Sequence, residues 1–217
     1  MFPICYEDKC LLAINKPAGL STESGGSAHP SAENEMRAWL HAQMAPRREP
    51  PYLRAVHRLD RVTSGLLLLA KRKTALSALM LQFEAHQTRK TYRAIAPTHP
   101  EKSGLLKHLL YRSADGRRAL IGSASGAQEA LLEYRIIEEL PGGLADWELR
   151  PRTGRFHQIR AQLAHIGCPI LGDTDYGAAA WQAFQIKLHA LCLECVHPDT
   201  GNALVLDAPL PDNWRAI

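Results

Sequence analysis

The chain lacks long apolar runs, nucleotide- and metal-binding signatures and an even complement of cysteines, and each absence removes a class of protein. The N-terminal MFPICYEDKC has no basic segment followed by an apolar one, and the longest aliphatic stretch, residues 66–70, is far too short to cross a bilayer. A soluble, cytoplasmic protein without a membrane partner is expected. Five cysteines, Cys5, Cys10, Cys168, Cys192 and Cys195, in a chain without an export signal argue for reduced thiols rather than a disulfide framework. There is no GxxxxGK[ST] loop, since Gly25-Gly26 lacks the lysine and the helix context, so phosphoryl transfer is disfavoured. The ten histidines show no HExxH spacing. Cys192-Leu-Glu-Cys195, flanked by His189 and His197, has no second CxxC pair, and strand alternation puts its thiols on opposite faces. No metal is expected. Repeats, low-complexity tracts and breaks in composition are absent too, so a single domain over residues 1–217, at 46% hydrophobic composition, is the expectation.

What is present is basic charge, unevenly spread. Residues 47–93 and 150–160 hold fifteen of the twenty-six Lys and Arg against only Glu49, Asp60 and Glu84. Eighteen of the twenty-six are Arg, whose planar fork suits bidentate phosphate contacts. Brought together, the two segments would make a polyanion site; dispersed, they would be ordinary solvated surface charge.

Residues 11–16 read as a strand ended by Pro17-Ala-Gly19, and 24–30 as a loop of small residues. Ser31 is placed to cap a helix over 32–44, with Met36, Trp39 and Leu40 at helical spacing. Three prolines and two arginines make 46–51 an exposed connection. Residues 62–71 carry the run Leu66 to Leu69 of a strand buried on both faces, and a helix over 73–86 follows with Leu76, Leu79, Met80 and Phe83 on one stripe. Strands over 88–96, 105–110, 118–121, 130–138 and 146–150 then succeed one another as antiparallel hairpins. Phe156, Ile159, Leu163 and Ile166 recur at steps of three and four, predicting a helix over 154–166 stopped by Gly167 and Pro169. Strands over 188–196 and 203–206 close the chain. Strands outnumber scattered helices, so the expected class is α+β, with a large, mainly antiparallel mixed sheet flanked by helices.

Two segments carry chemistry. His57-Arg58-Leu59-Asp60-Arg61-Val62-Thr63-Ser64-Gly65 sets an acid among cations just before a buried strand. Flanking arginines favour a charged carboxylate, so Asp60 is either an available nucleophile or half of a salt bridge that pins the loop. Arg152-Thr-Gly-Arg155-Phe-His157-Gln-Ile-Arg160 opens the last helix, where backbone amides and added arginines favour an anion. Arg160 lies four residues after Phe156 and so points to the core side. A cation there needs an anionic partner; Asp60 is the candidate, whether for catalysis or as a structural ion pair.

The first of these segments resembles the HRLDxxTSG active-site signature of the RluA family of pseudouridine synthases. Other blocks follow in the family's order: Leu12-Ala-Ile-Asn-Lys-Pro-Ala-Gly-Leu20, Lys90-Thr-Tyr92-Arg-Ala94, the arginine-rich segment 152–160, and Pro169-Ile-Leu-Gly-Asp173 through Tyr176-Gly177. The resemblance therefore spans nearly the whole chain. It implies a cofactor-independent enzyme that isomerises uridine to pseudouridine in structured RNA, ribosomal or transfer. Asp60 falls on the family's essential aspartate, Tyr92 on the tyrosine that packs against the target base, and Arg160 on the arginine that pairs with the aspartate. Arg58, Arg61, Arg155 and His157 fall where motif residues support the site or touch RNA. A compact member without the N-terminal RNA-binding domain of some relatives is implied, with specificity expected in residues 21–54 and 97–128. A monomer is the simplest expectation. The contrasting reading is a noncatalytic RNA-binding or ribosome-assembly module on the same fold, for which Asp60 would be dispensable.

Overall fold

Apolar runs become strands and amphipathic segments become helices in the computed structural model, which describes residues 2–23, 30–43 and 49–216. The chain begins with β1 (Ile4–Glu7), β2 (Leu11–Lys16), α1 (Ala32–Gln43), β3 (Arg54–Ala55), β4 (Ser64–Ala70) and α2 (Lys73–Glu84). It continues with β5 (Arg89–Pro97), β6 (Ser103–Arg112), β7 (Ala119–Ile121), β8 (Gln128–Leu140), β9 (Leu144–Pro151) and α3 (Gln158–His165). It ends with β10 (Leu188–Val196) and β11 (Ala203–Asp207). Met44, Arg47, Arg48, Gly25-Gly26 and nearly all of the expected 24–30 loop lie outside the described residues. The chain divides into two compact units, residues 1–88 with 190–217, and residues 89–189.

In the first unit β2 pairs antiparallel with both β1 and β4, and β4 is buried along its whole length, as its unbroken leucine run requires. β10 and β11 form an antiparallel hairpin from Cys192 opposite Asp207 to Val196 opposite Ala203. The β1–β2 turn is closed by Asp8, whose Oδ1 accepts the amides of Cys10 and Leu11 at 2.8 and 2.7 Å. The sequence pattern missed β1, because four residues are too few to show alternation. α2 departs from expectation on one side chain. Ala75 and Leu79 are its buried residues, while Met80 is 45% exposed, because a residue one step beyond Leu79 is rotated by 100° off the buried stripe.

In the second unit β5, β9, β8, β6 and β7 pair antiparallel in that order, with a bulge in β8 between Ile136 and Glu138. Trp147 of β9 is fully buried, its ring centroid 5.2 Å from that of Tyr134. Leu110, Ala119 and Ala130 pack against Ala161 of α3, with Phe156 and Tyr176 against the same cluster. α3 begins at Gln158, four residues later than its periodicity predicts. The Gln158 side chain explains the delay: its Oε1 accepts the Thr153 hydroxyl at 2.7 Å and the Arg155 amide at 3.0 Å, and its Nε2 donates to the Leu131 carbonyl at 3.0 Å. Residues 153–157 are thereby tied to β8 as a loop, and Phe156 precedes the helix whose stripe it was expected to open. Both units combine antiparallel strands with helices, which is the α+β class the sequence predicts.

Candidate active site

Asp60 is half-buried in the segment that feeds β4, and its neighbours on both sides are clamped. The Leu59 amide donates to Thr22 Oγ1 at 3.0 Å, and the Thr22 hydroxyl donates back to the Leu59 carbonyl at 2.9 Å. The Thr63 amide donates to the Asp60 carbonyl at 3.1 Å, closing a turn over residues 60–63. Arg61 exchanges two bonds with Gly19: the Gly19 amide donates to the Arg61 carbonyl at 2.8 Å, and Arg61 Nε donates to the Gly19 carbonyl at 2.9 Å. These ties fix the backbone at Asp60 and so the point from which its carboxylate projects, as an attacking group requires.

Lys16 adds a cation that sequence reasoning missed. It closes the apolar strand β2, is fully buried, and donates from Nζ to the carbonyls of Pro17 and Leu20 at 2.9 Å each. Burial pulls its pKa down to about 8, and the charge of Asp60 opposes that fall, so the ammonium and the carboxylate are electrostatically coupled. The signal was available: a lysine ending a buried strand needs carbonyl and acid neighbours. Beside the same turn, Thr63 Oγ1 is buried with no hydrogen-bond partner among the described residues. Arg58 is 78% exposed in its side chain, with Glu23 3.9 Å away, and Arg61 is exposed apart from its tie to Gly19. His57 is structural: its ring stacks on Phe83 at 5.4 Å and Nε2 accepts the Leu68 amide at 3.2 Å.

In the second unit Tyr92 stands half-buried on β5, opposite Leu149 of β9. Arg160 is 3% exposed, as its place on the helix predicts. The anion that burial demands is supplied within this unit by Asp173, which accepts Nε and Nη2 at 2.7 Å each, and by Asp175, which accepts Nη2 at 2.9 Å. The Tyr176 ring lies 5.0 Å from the guanidinium carbon. Sequence reasoning quoted Asp173 and Tyr176 as parts of a motif without giving either a role. Arg155 donates from Nε to the Glu129 carbonyl at 3.0 Å, and His157 contacts both Arg160 and Tyr176.

Part of the expected basic surface carries acid partners brought from elsewhere in sequence, Glu33 for Arg54, Asp199 for Arg72, Asp146 for Arg93 and Glu133 for Arg152, while Arg150 pairs with Glu148 of its own strand. The exposed pairs Arg72–Asp199 and Arg152–Glu133 are worth under about 1 kcal/mol, so an incoming phosphate can displace the acid there, whereas Asp146 is fully buried beside Arg93.

Asp8, Cys10 and His197 offer ligand atoms within 4.8 Å of one another, the geometry of a metal cluster. Their hydrogen bonds favour another reading. His197 Nδ1 accepts the amides of Asp199 and Thr200 at 3.2 and 3.1 Å, which places the imidazole proton on Nε2, where it donates to Asp8 Oδ2 at 2.6 Å. A metal would need that lone pair, and burial pushes the Cys10 thiol up to about 12. The cluster joins the tips of the β1–β2 and β10–β11 hairpins. Burial likewise raises Cys195 to about 11, and the five cysteines are free thiols. No helix of the described residues is long and apolar enough to cross a membrane.

Residues 10–165 match the family model for RNA pseudouridylate synthase. The chain is 32% identical over its whole length to tRNA pseudouridine synthase C of Pectobacterium carotovorum subsp. carotovorum, of which it spans 61%. It is 33% identical, over 99% of its length and 71% of the relative's, to ribosomal large subunit pseudouridine synthase D of Zymomonas mobilis. Among solved structures it is similar to Human RNA Pseudouridylate Synthase Domain Containing 1, with TM-score 0.80 and 25% identity, over 97% of this chain and 84% of that one.

Proposed function

The chain belongs to the RNA pseudouridylate synthase family, and from that premise we propose that it isomerises particular uridines of ribosomal or transfer RNA, with Asp60 as the reacting carboxylate. The observation that carries the assignment is the clamped turn at residues 60–63, which holds Asp60 beside the buried Lys16 ammonium. Residues 1–217 act as one catalytic domain, as a monomer in the cytoplasm. The target uridine leaves its stack, at a few kcal/mol, and phosphate contacts from residues such as Arg58, Arg61 and Arg155 offset that cost.

The bond between uracil N1 and the ribose anomeric carbon then breaks with help from Asp60, by attack on that carbon or by promotion of a glycal. Both routes begin from a charged, oriented carboxylate. The detached base turns within the site, the anomeric carbon bonds to C5, and the C5 proton is lost while N1 gains one. Reactant and product are isomers, so the reaction consumes no cofactor. Tyr92 packs against the base, and Arg160, held by Asp173 and Asp175, is the third residue of the catalytic set.

Asp60→Asn tests the reading in a pseudouridine assay on tRNA and ribosomal RNA. Product formation is abolished while folding and RNA affinity stay near wild type. Full residual activity defeats the assignment and leaves the noncatalytic RNA-binding module in its place. Mapping pseudouridines across cellular RNA with and without the gene identifies the target.

A further inference from the structure

We propose that Tyr176 is a positioning residue for the reaction: the face of its ring holds the Arg160 guanidinium, and its hydroxyl anchors the ring to β7. The proposal rests on the reading of Arg160 as part of the catalytic set.

A guanidinium is planar, with N–H groups around its edge and none on its two faces. The edge of Arg160 is taken by acids. Nε and Nη2 donate to the two oxygens of Asp173 at 2.7 Å each, and Nη2 also donates to Asp175 at 2.9 Å. Such a fork fixes the group within its own plane, and tilting out of that plane is left for contacts on the faces to stop. Arg160 lies over the Tyr176 ring with Cζ 5.0 Å from the centroid, inside the range of a cation–π contact. Nη1 rests against the His157 ring, 2.9 and 3.2 Å from its two nitrogens. The Arg160 side chain is 3% exposed, and a π-face attracts a desolvated cation more strongly than one in water.

The Tyr176 ring is fixed at both ends. Tyr176 closes a single 3-10 turn, Thr174–Tyr176, in which its amide donates to the Asp173 carbonyl at 3.1 Å. The Asp173 amide in turn donates to the Ile170 carbonyl at 2.9 Å. Residues 173–176 therefore supply both the acids on the edge of the guanidinium and the ring on its face. At the far end, the Tyr176 hydroxyl oxygen accepts the Ala119 amide of β7 at 2.7 Å, and the ring packs against Leu110, Ala119, Ala130 and Ala161. These contacts hold the ring independently of Arg160, as a residue that positions another requires.

The experiment compares, in the full chain, Tyr176→Leu, Tyr176→Phe and replacement of Tyr176 by mono-, di- and trifluorinated phenylalanines. All of them lack the hydroxyl, so wild type against Phe reads the anchor to Ala119. Each added fluorine draws charge from the ring face and weakens its hold on a cation while nearly keeping the ring's shape, so the series reads the face alone. Pseudouridine formation on tRNA and ribosomal RNA is measured well below the unfolding transition of the least stable variant. The expected result is a loss in kcat of about threefold for Phe, a further stepwise loss reaching about tenfold at trifluorophenylalanine, and a loss of about thirtyfold for Leu, with KM within about twofold throughout. A fluorinated series with kcat equal to that of Phe overturns the proposal, because an apolar spacer would then serve as well. So does a raised KM with unchanged kcat, the mark of a residue that binds RNA rather than positions Arg160. Urea midpoints without RNA give a readout independent of activity: they should fall along the fluorinated series, and constant midpoints overturn the contact. A wild-type protein that makes no pseudouridine refutes the proposed function, while the urea series still decides whether the ring holds the guanidinium.

Discussion

Replacing Gly65 by alanine separates backbone strain from steric collision at the strand that supports Asp60. Gly65 has φ +112°, and a Cβ built there falls 2.2 Å from the Ala190 carbonyl oxygen and 2.5 Å from the Ala190 nitrogen. An ordinary contact needs about 3.4 Å, so the backbones of β4 and its sheet neighbour β10 must part by about 1 Å. They cannot do so cheaply, because Leu66 to Ala70 are all at most 1% exposed and packed on both faces. Conformational strain of about 1–2 kcal/mol and overpacking of about 1–3 kcal/mol give an expected loss of about 2–5 kcal/mol. Gly116→Ala is the control, since Gly116 has φ +70° and nothing within 4 Å of its would-be Cβ; it pays the strain alone, about 1 kcal/mol. Urea titrations of the two variants, followed by tryptophan fluorescence and circular dichroism together, measure the difference. A Gly65→Ala loss within about 0.5 kcal/mol of the Gly116→Ala loss would refute the collision argument.

Three further outcomes follow from the same geometry. Lys16 has a folded pKa of about 8 against an ordinary 10.5, so the folded state resists its protonation: wild-type stability is lowest below pH 8 and rises toward pH 10.5. Relative to Lys16→Met, the wild type should gain about 1 kcal/mol between about pH 7 and 9, and parallel stability curves would contradict the burial argument. Asp173→Ala leaves the Arg160 guanidinium without its bidentate acceptor and should cost about 3–5 kcal/mol in thermal or urea unfolding; a loss below about 1 kcal/mol rejects the pair as a buried anchor. Thr63→Val removes a buried hydroxyl that has no partner among the described residues, so stability should stay within about 0.5 kcal/mol or rise, and a drop beyond about 1.5 kcal/mol would show that the hydroxyl is bonded.

Elements with strong local patterning were legible. The leucine run of β4 and the apolar β2 were read within a few residues, since burial on both faces leaves a continuous signature. The reactive segment was legible for a different reason: an acid among arginines left catalyst and salt bridge open, and only the HRLDxxTSG signature, with the other blocks in the family's order, favoured the catalyst. The start of α3 was misread because periodicity counts Phe156 as a stripe residue and cannot see that Gln158 ties the preceding loop to β8. Met80 was placed on a buried stripe because the pattern shows where apolar residues recur, not how wide a surface the neighbouring strand covers.

The sequence by itself determined the α+β class, the family and the residues on which its chemistry is proposed to rest, because these depend on short-range periodicity and contiguous motifs. Tertiary structure alone decided which charges meet: Lys16 with Asp60, Arg160 with Asp173 and Asp175, Arg54 with Glu33 and Arg72 with Asp199. Coulomb energy depends on separation in space, and a charge's position along the chain says nothing of its distance from another until the backbone is folded.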